Sequence, residues 1–257
     1  MAFMNVFQLF FWSHRLLIVG PAIETEPHQH HASQFALGLG GPVVFRNLDN
    51  GQRIEGDFAW IQPDTPHALC ASLAPCCLLY TDAESRECAN ACSWFGHQPF
   101  VHARLPVELE AARTLILCRQ VDVNSAQAFV KALPWYQRAS DSRSLDARLQ
   151  RALVYIHQNI EGDVSIGAVA AASAASESWL SHAFPDLIGI PMRRFVLWAR
   201  LRAAVIIARD GGTLTEAAST AGFSDAAHFT RVFREAFGIT PSMMFRRNAP
   251  VVIHLME

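Results

Sequence analysis

The segment from Leu214 to Ser242 limits most strongly what this chain can fold into. Its sequence, LTEAASTAGFSDAAHFTRVFREAFGITPS, predicts a helix, a tight turn at Gly222 and a second, amphipathic helix. On the second helix the phenylalanines share one face, while basic side chains occupy the other. A polar, basic helix held outward from an apolar layer is what reading the major groove of DNA requires.

A weaker copy of this unit lies upstream, between Ser165 and Pro191. The two copies align at three pairs of positions: Ile166 with Leu214, Ala170 with Ala218, and Ser176 with Ser224. A helix is predicted between them, from Met192 to Arg209. A rigid helix there would fix the spacing of the two units, so that their second helices enter successive major grooves about 34 Å apart.

Two short motifs connect the chain to a known family. They are RLRAA at Arg200–Ala204 in the linking helix and AGFSD at Ala221–Asp225 in the second turn, completed by Phe229, Arg231, Phe233, Gly238 and Pro241. With these residues the chain resembles the AraC/XylS transcription regulators, which carry two helix-turn-helix units joined by a long helix. The resemblance covers Leu145–Arg247 strongly and residues 20–70 loosely.

The resemblance implies a set of DNA-binding residues in each unit. They are Ser176, Ser178, Ser181 and His182 in the first unit, and Ser224, Ala227, His228, Arg231 and Arg234 in the second. Arg231 is the best candidate for reading a base, since a guanidinium can form two hydrogen bonds with guanine. His228 could read a base, contact phosphate or pack over Phe229.

The first unit departs from the family pattern at two positions. Ser173 stands where a turn glycine is usual, at an expected cost of about 1 kcal/mol. Pro185 follows Phe184, where a basic residue that contacts phosphate is common, and it should end the helix early. We therefore expect the first unit to contribute less charge-based affinity for DNA than the second.

The remainder of the chain predicts an α+β protein of three parts. Short apolar segments broken by Gly, Pro and Asp predict a small β-barrel or sandwich at residues 1–104. Helical spacing follows from Pro106 to Lys131, so residues 105–140 form a helical linker and, by resemblance, the dimerisation region. The polar run Arg138–Arg143 is the best boundary before an all-α DNA-binding domain at residues 141–248.

A histidine cluster marks the N-terminal part. His28, His30, Gln34 and the later His67 are similar to the two sequence signatures of a cupin barrel, which place ligands around one divalent metal ion. Here Gln34 occupies the acidic position, so Zn, Ni or Fe(II) would be held less tightly than with a carboxylate. In the alternative reading no metal binds, and the histidines line an effector pocket or hydrogen-bond to nearby backbone.

Apolar residues beside this cluster could line a pocket for a small-molecule effector. The candidates, together with His67, are Phe35, Leu37 and Trp60, although each could equally belong to the core. The cysteines leave another alternative, because Cys88 and Cys92 lie four residues apart and Cys76 is adjacent to Cys77. They could form a thiol or soft-metal sensor, or serve as small buried apolar residues.

These features favour a DNA-binding transcription regulator whose N-terminal barrel senses a small molecule or a metal ion. The competing interpretation is a metal-dependent cupin enzyme, a dioxygenase or isomerase with a helical appendage, and Gln34 argues against it. The expected partners are double-stranded DNA and an effector, with RNA polymerase and a second copy of the chain implied by resemblance. The apolar run Val6–Trp12 is too short to span a membrane, and the absence of Lys and Arg before Arg15 argues against a secretory signal, so we expect a cytoplasmic protein. Activation and repression remain open.

Overall fold

The computed structural model describes residues 6–21, 23–70, 74–117, 121–136, 146–188, 190–245 and 251–256. The chain divides into two compact units. The first comprises Met1–Ala83, Glu87–Tyr136 and Phe233–Glu257, and the second comprises Glu84–Arg86 and Gln137–Val232. The expected boundary at Arg138–Arg143 lies outside the described residues.

The first unit contains ten β-strands in two sheets. The strands are β1 Phe7–Phe11, β2 Arg15–Gly20, β3 Ala32–Gly38, β4 Val43–Asn47, β5 Arg53–Gly56, β6 Phe58–Ile61, β7 His67–Leu69, β8 Cys76–Asp82, β9 Phe100–Ala103 and β10 Val251–Leu255. One sheet has the order β10-β1-β2-β8-β3-β6-β9 and the other the order β5-β4-β7. The N-terminal part is thus rich in sheet and the second unit is helical, as an α+β chain predicts.

The expected closed barrel is not formed by the described residues. Strand β10, from the far end of the sequence, pairs in parallel with β1 along the whole of β1. It occupies the edge of β1 that closure would require, and the three-stranded sheet remains separate from the larger one. The structure therefore has two open sheets, where the strand pattern predicted a barrel or sandwich and the cupin resemblance implied a barrel.

Helices cover one face of the larger sheet. They are α1 Arg86–Trp94, α2 Val107–Ile116 and α3 Val123–Ala132. Their buried side chains join those of the sheet in one apolar cluster, which includes Phe35, Trp60, Leu79, Leu109 and Phe129. Every residue of β3 and β8 is buried, as expected for central strands covered on both faces.

The second unit is built from helices. They are α4 Ala147–Gln158, α5 Ile166–Ser173, α6 Glu177–Ala183, α7 Met192–Arg209, α8 Leu214–Thr220 and the start of α9, Ala226–Phe237. The bounds of α7 are those predicted. The residues from Phe233 onward group with the first unit by their contacts; they are the end of α9, the short helix α10 Pro241–Met244 and strand β10.

The turn of the first helix-turn-helix unit differs from the prediction. Its left-handed residue is Ala174, with φ of 54° and ψ of 43°, and not Ser173. Ser173 is buried at the end of α5, where its hydroxyl donates to the carbonyl of Val169 at 2.7 Å. Ala174 therefore holds the position of Gly222, whose φ is 78°, and carries a Cβ in a backbone region that favours glycine.

The predicted early end of the first recognition helix is confirmed. Helix α6 ends at Ala183, and the chain continues as a π-helical turn over Phe184–Ile188 that contains Pro185. Proline has no N–H with which to continue the α-helical pattern, so the regular helix is only seven residues long.

Candidate functional site

Helix α9 is held at its start by Asp225. The Asp225 carboxylate accepts a hydrogen bond from the backbone N–H of His228 at 2.7 Å. Phe229, Phe233 and Phe237 are fully buried along one side of the helix. The cap and the apolar face together fix which side chains of α9 remain outside.

The outer face of α9 carries three of the predicted DNA-binding residues. Ala227, Arg231 and Arg234 are exposed and recur at helical spacing on the side opposite the phenylalanines. The small Ala227 leaves room for close approach, while the two guanidinium groups can reach bases or phosphates.

Ser224 and His228 are tied to the turn that precedes α9. The Ser224 hydroxyl lies 3.1 Å from Nδ1 of His228, and it also donates to Asp225 at 3.1 Å. The imidazole packs edge-on against Phe223, with ring centroids 5.4 Å apart, and not over Phe229 as one reading of the sequence expected. His228 is therefore oriented by its neighbours, with Nε2 as the nitrogen left for another partner.

The first recognition helix, α6, presents a different surface. Ser176 caps it by accepting from the N–H of Trp179 at 3.1 Å, and the hydroxyl of Ser181 donates to the carbonyl of Glu177 at 2.9 Å. His182 donates through Nδ1 to the carbonyl of Ser178 at 2.7 Å. All four predicted residues of this unit are exposed, but α6 and the π-helical turn contain no Lys or Arg.

The linking helix α7 braces the second turn from behind. Arg200 donates to the carbonyl of Ile160 at 3.3 Å and to that of Gly162 at 3.4 Å. A Cβ on Gly222 would overlap the carbonyl of Ile160 and lie 3.0 Å from Nε of Arg200. Gly222 is thus required both for its positive φ and for this close packing.

The three histidines predicted from the N-terminal part meet at one place. The atoms of His28, His30 and His67 that could hold a metal ion all lie within 4.8 Å of one another. The side-chain oxygen of Gln34 lies 2.9 Å from Nε2 of His30 and 3.0 Å from Nε2 of His67. The predicted metal set, including Gln34 at the acidic position, is therefore brought together.

Backbone carbonyls fix the orientation of all three rings. Nδ1 of His28 donates to the carbonyl of Glu26 at 2.7 Å. Nδ1 of His30 donates to the carbonyl of Ala32 at 2.8 Å, and Nδ1 of His67 donates to the carbonyl of Thr65 at 2.8 Å. A carbonyl can only accept, so each Nδ1 carries the proton and each Nε2 keeps its lone pair when the ring is neutral.

Burial keeps these rings neutral near pH 7. Burial, together with a smaller contribution from the neighbouring histidines, lowers the pKa of His30 to about 4 and the pKa of His67 well below its usual value. The pKa of His28 is also lowered, first by burial and in part by the charge of Arg234. Neutral imidazole is the form that binds metal ions.

The four residues predicted to contact an effector are not brought together. Phe35, Leu37 and Trp60 point into the apolar cluster under the helices, where Trp60 stacks on Phe95 with centroids 4.8 Å apart. Gln34 alternates with Phe35 on β3 and contacts His67 on the opposite face. The side chains of Phe35, Leu37 and Trp60 are core residues, because they are at most 1% exposed.

The described cysteines are free thiols. Burial raises the pKa of Cys76 to about 12 and that of Cys77 well above the usual value. Cys92 is half-buried on α1, and a hydrogen bond with Cys88 lowers its pKa to about 7. Cys118 lies outside the described residues.

Among the helices that the structure describes, none is both long and apolar enough to cross a bilayer.

Comparison with known proteins identifies the helical part of the chain. A family model for a helix-turn-helix domain matches residues 169–247. The chain is 29% identical over 232 residues to a probable transcriptional regulator, LumQ, of Photobacterium leiognathi, covering 84% of this chain and 90% of LumQ. It is 31% identical over 107 residues to the transcriptional activator NphR of Rhodococcus, covering 40% of this chain. It is 28% identical over 100 residues to the uncharacterised regulator YidL of Escherichia coli, covering 38% of this chain.

The matched regions span 34% of YidL and 30% of NphR, about a third of the length of each. Among solved structures, ToxT from Vibrio cholerae aligns over 90% of this chain and 98% of its own, with 11% identity and a TM-score of 0.46. A protein from Chromobacterium violaceum with an AraC-type DNA-binding domain aligns over 39% of this chain and 94% of its own, with 24% identity and a TM-score of 0.36. The duplicated helix-turn-helix units, the matching domain and the similarity to transcriptional regulators agree: this chain carries the DNA-binding helix-turn-helix domain of a transcription regulator and is similar to the AraC/XylS family.

Proposed function

We propose that this chain reads a two-part DNA site in which α9 provides most of the affinity and specificity. One observation carries the proposal: α9 exposes Arg231 and Arg234 opposite a buried phenylalanine face, whereas α6 exposes no basic side chain other than His182. Phosphate neutralisation by Lys and Arg supplies much of the affinity of proteins for DNA. The second helix-turn-helix unit therefore binds DNA strongly, and the first helix-turn-helix unit adds a weaker, polar contact.

Each exposed residue has a distinct expected role. Arg231 reads a base edge, Arg234 contacts phosphate, and Ala227 allows the helix to approach the groove closely. In the first unit Ser178, Ser181 and His182 supply polar contacts, while Ser176 and Ser224 act at the helix starts, next to the DNA backbone. His228 presents Nε2 from the turn.

The proposal is tested by binding of the full chain to duplexes selected from a random-sequence library. Fluorescence polarisation at several salt concentrations should show tighter binding to the selected duplex than to a scrambled one, with affinity that falls as salt rises. Equal affinity for both duplexes at every salt concentration would overturn sequence-specific recognition.

We further propose that the sheet-rich unit, which contains the histidine cluster, makes DNA binding responsive to a small-molecule or metal effector. The support is the buried histidine cluster, whose sequence is similar to the two cupin signatures although the sheets are open. The alternative, a metal-dependent oxygenase or isomerase, would be favoured by a carboxylate ligand, but the fourth position is the amide of Gln34. We therefore propose a regulatory and not a catalytic role for this unit.

The partners follow from family resemblance. We propose that a homodimer forms through α2 and α3, and that the DNA-bound chain contacts RNA polymerase. Since the target is genomic DNA, the chain would act in the cytoplasm. Light scattering after size-exclusion chromatography tests the dimer directly: a mass that remains that of one chain at all concentrations would exclude it.

A further inference from the structure

We propose that His28, His30, His67 and Gln34 bind one divalent transition-metal ion, and that this ion raises the DNA affinity of α9 by acting on the C-terminal end of that helix. The coupling to DNA rests on the proposed function above, whereas the metal site stands on its own geometry. Zn²⁺ represents the class of ion, because three imidazoles and one amide oxygen suit zinc and its neighbours.

The atoms of the cluster that would bind the metal ion carry no proton. With every Nδ1 proton committed to a backbone carbonyl, Nε2 of His30 and Nε2 of His67 are both hydrogen-bond acceptors. The Gln34 oxygen that faces them at 2.9 and 3.0 Å is an acceptor as well. In this orientation of the Gln34 amide, the converging lone pairs repel one another, and a cation between them turns the repulsion into coordination.

The spacing is close to what a metal ion needs. Ligands 2.0–2.1 Å from a tetrahedral ion lie about 3.3 Å from one another. The amide oxygen lies 2.9 and 3.0 Å from two of the imidazole nitrogens, slightly less than this separation, while the ligating atoms of the three histidines spread to 4.8 Å. Binding would therefore draw the rings together. His28 is the most exposed of them, at 9% against 2% for His30 and 0% for His67.

The ligand set carries no negative charge, so a bound ion keeps its full double positive charge. Carboxylate-free sites hold divalent ions less tightly, which leaves the ion exchangeable with the surroundings. The backbone carbonyls that accept from Nδ1 supply the outer layer of hydrogen bonds that orients histidine ligands in metal sites.

The cluster also contacts the end of α9 directly. Gly238 follows the last residue of α9, and a Cβ placed on it would overlap the His28 ring. The backbone N–H of His31 donates to the carbonyl of Glu235 at 2.7 Å. The segment that carries two ligands thus holds α9 at two points, so a shift of His28 on metal binding acts on this helix end.

Arg234 gives the coupling its expected sign. It is exposed on the same side of α9 as Arg231 and adjoins Glu235, whose carbonyl accepts from His31 in the segment that carries the ligands. A dication at the cluster would repel this guanidinium outward and raise the positive potential beneath the DNA-binding surface. Both effects favour phosphate contact, so metal binding should tighten DNA binding about fivefold or more.

Zinc stoichiometry tests the site without reference to DNA. The full chain is stripped with a chelator, loaded with Zn²⁺, dialysed and measured by elemental analysis, with circular dichroism to monitor folding. The wild type should hold one zinc more than His30→Ala or His67→Ala, a difference that zinc bound to cysteine cannot produce. His31→Ala is the matched control, since His31 is exposed outside the cluster, and it should keep the zinc.

A variant that binds zinc more tightly cannot be explained by misfolding, as a variant that loses zinc can. Gln34→Glu adds a negative ligand and should bind Zn²⁺ at least tenfold more tightly than the wild type in a chelator competition. The site would be overturned if the wild type held no more zinc than His30→Ala and Gln34→Glu bound Zn²⁺ no more tightly than the wild type. In that case the Gln34 amide donates a hydrogen bond to both rings and leaves no nitrogen for a metal ion.

DNA affinity measured with and without Zn²⁺ tests the coupling. The wild type and His31→Ala should bind the selected duplex more tightly with Zn²⁺, whereas Arg234→Ala should bind zinc but respond less. Stoichiometric zinc with unchanged wild-type affinity would overturn the coupling and leave the site. Stoichiometric zinc with no sequence-specific DNA binding under any condition would overturn the proposed function instead.

Discussion

Arg231 and Arg234 lie on one exposed face of α9, but their positions imply different effects on DNA binding. A side chain that reads a base acts on one sequence, whereas one that contacts phosphate acts on all of them. Arg231 is next to the centre of the helix face. Arg234 is one turn closer to the C-terminal end of α9, which belongs to the sheet-rich unit.

Replacing Arg231 separates these two roles. Arg231→Ala should cost about 1–3 kcal/mol on the selected duplex and relax specificity at one base position. The measurement is a polarisation titration against single-base variants of the duplex. Arg53→Ala, which removes an exposed arginine from β5, should leave affinity unchanged. Equal loss on every duplex would make Arg231 a phosphate contact.

Arg15 and Glu87 form a mostly buried ion pair that fastens α1 to strand β2. The guanidinium donates to the carboxylate at 2.7 Å, and the two side chains are 9% and 12% exposed. Burial by itself raises the pKa of Glu87, but the hydrogen bonds and charges of His14 and Arg15 outweigh it and leave this pKa below its usual value.

The lowered pKa of Glu87 predicts an acid-sensitive contribution to stability. The pair stabilises the fold above the ordinary glutamate pKa, and this contribution is lost as the pH falls through the lower pKa of the folded state. Glu87→Gln should lower the free energy of unfolding by about 3 kcal/mol at pH 7, because Arg15 is left buried without its partner. Urea denaturation should show a smaller difference between variant and wild type at acid pH, and a pH-independent difference would contradict this role.

At the scale of single elements, the two helix-turn-helix turns provide a matched pair. Both place a residue in the left-handed region, Ala174 at φ of 54° and Gly222 at φ of 78°. The same backbone conformation therefore carries an alanine in one unit and the glycine it favours in the other.

Exchanging the two residue types should move stability in opposite directions. Ala174→Gly should raise the free energy of unfolding by about 1 kcal/mol, because the strained Cβ is removed. Gly222→Ala should lower it by more than that, since its Cβ also overlaps the carbonyl of Ile160. Thermal unfolding of both variants beside the wild type checks the prediction, and destabilisation by Ala174→Gly would refute it.

The helical elements could be predicted from the sequence because their signals are local. Caps and helix periodicity lie within a few residues of each other, as at Thr213, which accepts from Glu216 while Glu216 accepts from Thr213. The bounds of α7 follow from the same kind of signal. By contrast α1 was missed, because its only buried residues are Cys88 and Ala91 and its contact with Arg15 is 72 residues away in sequence.

At the scale of the whole molecule, the features that could not be predicted join distant parts of the chain. Strand β10 pairs with β1 in parallel, which excludes the expected barrel, and no local pattern specifies that pairing. The ligand set of the histidine cluster was predicted from its motif. Its contact with Gly238 was not, because 210 positions separate Gly238 from His28 and only the fold brings them together.

The division of α9 between two units follows from the same long-range contacts. Its first part carries Arg231 in the helical unit, and its last residues lie in the sheet-rich unit with the histidine cluster. Arg234, near the end of α9, therefore lies in the same unit as the histidine cluster.

Hydroxyl-radical footprinting of the full chain on a selected duplex tests the two-part reading most directly. The wild type should protect two segments on one face of the duplex, one helical turn or about 34 Å apart. Arg231→Ala should lose protection mainly at one segment, whereas Ser181→Ala should weaken only the other and cost less affinity. A single protected segment, or two segments that respond equally to both substitutions, would contradict a reader with two unequal helix-turn-helix units.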